Sequence, residues 1–222
     1  MVLRGLQSLL GRLYDVELRY DVYDFLVTDR RAVAGSQDLA RRASEEELLL
    51  AETRDAGGSP CAGVALYLDP QVLSRLEHAD PHLELTEHNL ADYCTALEGV
   101  SHFVYSTWRL DRDLPVSLLE LETQAEVDKY AVTVFLLARQ TGGPVYPAQV
   151  HARLFDRVKF DALLEPHQYE RYRTAHRCAA HYCRRLERRF VNRGVARIEA
   201  MVRELRSFYR LRNAAKLRRA LA

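Results

Sequence analysis

Ser117-Leu118-Leu119-Glu120, continuing through LETQAEVDKYAVTVFLLAR to Arg139, is the stretch that decides the fold. A hydroxyl followed three residues later by a carboxylate forms a capping box, which satisfies the unpaired amides at a helix start. The helix it opens is apolar on nearly every side from Tyr130 to Ala138. That predicts a place at the centre of a helical core. The apolar run is far shorter than the roughly 20 residues a membrane span requires, so no membrane partner is expected.

Upstream, Asp111-Arg112-Asp113-Leu114-Pro115 interrupts a second helical pattern. In it Leu90, Cys94, Leu97, Ser101, Val104 and Trp108 recur at three- and four-residue intervals, with Thr86 as the expected N-cap. Earlier still the period changes to two. Val16-Glu17-Leu18-Arg19-Tyr20-Asp21-Val22 alternates as a half-buried strand does. Leu48–Thr53 and Gly63–Leu68 flank the turn-rich Asp55-Ala-Gly-Gly-Ser-Pro60 and predict a hairpin. Ser44-Glu45-Glu46-Glu47 competes with the first of these as a capping box. A short helix is expected from Pro70 to about Glu77, and an amphipathic one at the N-terminus, MVLRGLQSLLGRL, which lacks the apolar core of a secretion signal.

Downstream, Gly142-Gly143-Pro144 stops the central helix. It sets the expected division, an acidic body over 1–143 and a basic helical region over 144–222. That region should hold a short helix over about 148–158 and a long one from His167 with a buried stripe at Tyr169, Tyr172, His176, Ala179, Cys183, Leu186 and Phe190. Asn192-Arg193-Gly194 should break it before one last helix from Val195. The fold class is therefore α+β, mostly helical: a small antiparallel sheet near the N-terminus followed by a helical bundle.

The formal net charge of +1 hides a strong asymmetry. Through Pro166 there are 16 Arg and Lys against 27 Asp and Glu, a balance of −11; from His167 there are 16 against 4, a balance of +12. Such segregation predicts an anionic partner for the basic helices, or pairing of the two halves within one chain or head-to-tail between copies in a homo-oligomer. Arg173, Arg177, Arg184, Arg185, Arg188 and Arg189 carry the charge of the long helix and suit either phosphates or an acidic protein surface. Tyr169, Tyr172 and Tyr182 are interleaved with them and can stack on bases where exposed.

Two carboxylate groupings offer chemistry. Glu98 and His102 are i,i+4 neighbours, so the carboxylate can orient the imidazole for acid/base work, or the row can be an ordinary salt-bridged boundary. Glu122 and Glu126 stack on one face of the central helix between Glu120 and Asp128. They need cationic partners if buried, and with His102 they make an acid/base or metal-assisted centre conceivable. The Glu-x-x-His signature of di-iron bundles is missing. Cys61, Cys94, Cys178 and Cys183 form no CxxC or zinc-finger spacing, and read as reduced thiols of a cytoplasmic protein. No phosphate-binding glycine loop, nucleophile elbow or kinase set occurs, and no cofactor is expected.

The segment Arg171-Tyr172-Arg173-Thr174-Ala175-His176 resembles the Arg-x4–6-His motif of the HEPN ribonuclease superfamily. The resemblance implies a small helical bundle whose dimer cleaves RNA, with Arg171 and His176 at the site. Tyr172 departs from the polar residue that usually follows the family's arginine. The leading expectation from the residues is a non-enzymatic binding or adaptor protein. The alternatives are an enzyme using Glu98, His102, Glu122 and Glu126, and the HEPN-like ribonuclease.

Overall fold

The computed structural model describes residues 1–33, 45–54, 60–142, 150–156, 158, 160, 164–191 and 198–222, with the backbone alone given for 50–54, 60–62 and 213. The expected stops at Gly143-Pro144 and Asn192-Gly194, and the hairpin turn after Arg54, lie outside the described residues. The chain divides into two compact units: Met1–Ser8 with Glu17–Asp113, and Leu9–Val16 with Leu114–Ala222. Helix α1 (Val2–Tyr14) contributes to both.

In the first unit, β2 (Glu46–Arg54) and β3 (Pro60–Leu68) form the expected antiparallel pair, with Glu46 opposite Leu68 and Arg54 opposite Pro60. The sheet order is β1-β3-β2, and the two-residue β1 (Leu26–Val27) runs parallel to β3, so the small sheet is mixed. The strand expected at Val16–Val22 does not form. The Gln7 side chain accepts from the Val22 amide at 2.9 Å and donates to the Tyr20 carbonyl at 2.5 Å, taking backbone groups a sheet partner would need. Asp21 then accepts from the Tyr23 amide and opens a 3-10 turn, Val22–Phe25. Alternation alone does not make a strand without a neighbour to pair with.

After the short α2 (Arg30–Val33) and the hairpin, Asp69 caps α3 (Pro70–His78), with Pro70 at its start. The next helix, α4 (Leu90–Leu110), starts later than Thr86. Asn89 uses its side chain to build the preceding turn: it accepts from the Thr86 amide and donates to the carbonyls of Ala79 and Glu84. Helix α4 packs against β2, β3 and α3. At Gly99 a Cβ would lie 2.8 Å from Glu46 Cγ and 2.9 Å from Leu66, so glycine sets how closely α4 approaches the sheet.

In the second unit, Ser117 Oγ accepts from the Glu120 amide and starts α5 (Leu118–Gln140), which is buried on nearly every side from Glu120 to Val134. Helix α5 packs against α6 (Val150–Phe155), α7 (Pro166–Phe190) and α9 (Asn213–Leu221); α7 also packs against α8 (Ile198–Arg210). The single last helix expected from Val195 is two helices. Arg212 is extended (φ −122°, ψ 145°) between α8 and α9. The bend carries Lys216 into the core, where its Nζ donates to Gln124 Oε1 at 2.6 Å and lies over the rings of Phe208 and Tyr209. Gln124 donates in turn to Asp128 at 2.7 Å, and the Tyr14 hydroxyl donates to the same carboxylate. Tyr14 stacks on Tyr209 and Tyr182 on Phe208, at 4.0 and 4.1 Å between ring centres.

Candidate nucleic-acid interface

The buried stripe of α7 runs through Ala175, Cys178, Ala179, Tyr182, Cys183, Leu186 and Phe190. Tyr169, expected on that stripe, is instead 42% exposed, edge-on to Phe160 at 5.7 Å, and Tyr172 is half-buried. Displacing the stripe from Tyr169 gives the opposite face a single row. At 100° per residue, Arg173, Arg177, Arg184 and Arg188 fall within an arc of about 60°, and they span about 22 Å of helix. Tyr169 sits one turn before Arg173 at the head of this row.

The row is mostly open. Arg173, Arg177 and Arg188 are exposed and Arg184 half-buried. Arg173 meets Glu170 at 2.9 Å and Arg184 meets Asp156 at 3.5 Å, both among solvent-facing side chains. Arg177 and Arg188 form no ion pair or hydrogen bond among the described residues. The other two predicted arginines are partly spent inside the unit: Arg185 donates to the Arg219 carbonyl at 2.7 Å and lies over the Tyr182 ring, and Arg189 lies over Phe190.

At the far end of the row lies a cleft of about 490 Å³, lined by His151, Asp156, His181, Arg184, Arg185 and Arg188, with Ala180 and Ala222. His181 is fixed by its Nδ1, which donates to the Ala220 carbonyl at 2.8 Å. His151 is fixed by its Nε2, 2.8 Å from the Ala180 carbonyl, while its Nδ1 has no hydrogen-bond partner among the described residues and stands 4.0 Å from Asp156 Oδ1. Burial pushes the His151 pKa below the ordinary value, and Arg184 adds to this against the pull of Glu187 and Asp156.

The carboxylates singled out in the sequence fall in different units. Glu98 and His102 stand on α4 in the first, where His102 Nδ1 lies 3.3 Å from Glu46 Oε1 on β2. Glu122 and Glu126 stand on α5 in the second, each answered by α7: Glu122 by Arg171 at 3.5 Å, and Glu126 by His176 at 3.2 Å and by Lys129 at 2.5 Å on its own helix. Burial works against the Glu126 carboxylate, but Lys129 and His176 outweigh it and hold its pKa at about 2. His176 uses both ring nitrogens, Nδ1 toward Glu126 and Nε2 toward the Phe155 carbonyl at 3.1 Å. The two residues of the HEPN-like motif are thus engaged in holding α7 to α5 and to the end of α6.

His151 was not among the candidates. It lies in a six-residue helix too short to show a period, and its partner Ala180 is 29 residues away. What marks it is a buried ring nitrogen without a hydrogen-bond partner among the described residues, in a histidine that lines a basic cleft. Glu46 likewise sits on a strand, 56 residues from His102. No protein-family model, curated protein or solved structure matches the chain.

Proposed function

We propose that the second unit binds single-stranded nucleic acid along the exposed face of α7, as a binding or adaptor protein rather than an enzyme. The observation that carries this is the row Tyr169–Arg173–Arg177–Arg184–Arg188: an exposed aromatic ring in line with four guanidinium groups over about 28 Å. Four cations in line suit consecutive phosphates of a strand better than one small anion, and an aromatic face takes a base without regard to its identity. The unit holds 22 Arg and Lys against 12 Asp and Glu, a balance of +10, so its own acids cannot neutralise it.

The test is anisotropy titration of labelled single-stranded oligonucleotides with the full chain, repeated across salt concentration. Affinity should fall with salt at a log–log slope of about −0.7 per neutralised phosphate, near −3 for four contacts. Replacing Arg173, Arg177, Arg184 and Arg188 together with Glu should lower affinity at least about 100-fold at low salt while leaving the circular dichroism spectrum unchanged. Absence of binding at low salt would discard the proposal, and capture of polyglutamate without binding of nucleic acid would assign the row to an acidic protein partner.

A further inference from the structure

We infer that the cleft at the end of the arginine row reads the ribose 2′-hydroxyl, so that the strand held along α7 is RNA; the inference rests on the nucleic-acid reading of that face. It begins with a buried ring nitrogen that the described residues leave without a hydrogen-bond partner. The His151 side chain is 4% exposed, and its Nε2 faces a carbonyl, an acceptor only, so the ring proton belongs on Nε2. The Nδ1 atom then carries a lone pair with nothing to accept from among the described residues. Asp156 cannot supply the missing donor: its carboxylate is itself an acceptor and is 4.0 Å away, with Arg184 3.5 Å from the same oxygen.

A lone pair in that position is satisfied by a hydroxyl or an N–H group on whatever enters the cleft. The arginines on its walls say that the entrant is anionic, and Arg188 has no partner of its own among the described residues. The ligand therefore presents a hydrogen-bond donor beside a negative charge. Along RNA every internucleotide phosphate has a 2′-hydroxyl next to it; DNA has the phosphate and lacks the donor. Neutral His151 accepts from the hydroxyl while Arg184 and Arg188 hold the neighbouring phosphate. A base amino group would satisfy the lone pair in RNA and DNA alike, so comparing the sugars separates the two sources.

The experiment titrates the full chain with three labelled strands of one sequence: RNA, DNA and uniformly 2′-O-methyl RNA. RNA should bind about five- to tenfold more tightly than either of the others, which should match each other. The variant His151→Gln, whose amide can still donate to the Ala180 carbonyl, should lose that preference and bind RNA and DNA of this sequence equally. Equal, salt-dependent binding of all three strands by the unaltered chain would overturn the inference and leave the nucleic-acid reading standing. So would an RNA preference that survives both 2′-O-methylation and His151→Gln. Failure to bind any strand would overturn both.

Discussion

His176 and His151 lie on either side of the same packing of α6 against α7, and they have been given opposite environments. His176 faces an acceptor from each ring nitrogen, the Glu126 carboxylate and the Phe155 carbonyl, an arrangement that only the doubly protonated, charged ring satisfies completely. His151 faces one acceptor and keeps a bare nitrogen in a basic cleft, an arrangement that favours the neutral ring. Burial acts on both in the same direction, so the count of acceptors separates them. For His176 the hydrogen bond and charge of Glu126 outweigh burial and raise the pKa above the ordinary value; for His151 nothing does, and it falls. A buried histidine whose nitrogens are both used holds structure together. One with a nitrogen left over keeps an acceptor unused.

The sharpest way to break this comparison is to remove the carboxylate beside each ring. Glu126→Ala would leave Lys129 and His176 largely buried without their counter-charge, and should cost about 3 kcal/mol in urea unfolding. Asp156→Ala removes a half-exposed carboxylate beyond hydrogen-bond reach of His151, and should change stability by less than about 0.5 kcal/mol. Similar losses for the two variants would show that the pairings are of one kind.

The difference in legibility between the two sites has the same origin. The capping box at Ser117, the apolar run to Ala138, the stripe of α7 beyond Ala175 and the two segments flanking the turn-rich Asp55–Pro60 are local patterns, and they placed α5, α7 and the antiparallel pair β2–β3 correctly. The charge asymmetry pointed to the arginines, and only the packing of α7 showed that Tyr169 belongs with them. The pairings of Glu126 with His176 and of Lys216 with Gln124 join residues 50 and 92 positions apart, and no period connects them. Two errors came from local patterns defeated by a side chain. Gln7 took the backbone of the expected first strand, and Asn89 built a turn where Thr86 was expected to begin a helix. The break at Arg212 has no proline or glycine to announce it; it is set by burial of Lys216, which is a property of the finished core.

A smaller effect, pH dependence, sharpens the comparison further because the two histidines should pull in opposite directions. The groups facing His176 are Glu126, Lys129 and the Phe155 carbonyl; its raised pKa contributes stability that is fully present below the unfolded value of 6.5 and is lost as pH rises through the folded value. The groups facing His151 are Arg184, Glu187, Asp156 and the Ala180 carbonyl; its depressed pKa contributes stability present above 6.5 and lost as pH falls toward the folded value. In the unaltered chain the two act in opposite directions. His176→Gln should therefore be more destabilised, relative to the unaltered chain, at about pH 5.5 than at about pH 8. His151→Gln should show the reverse, losing less at about pH 5.5 because it no longer resists protonation. Urea unfolding of the three proteins at both pH values reads this directly. Parallel profiles would mean that the two rings share one charge state, and acceptor count would then not set the protonation of His151, the residue on which the RNA reading depends.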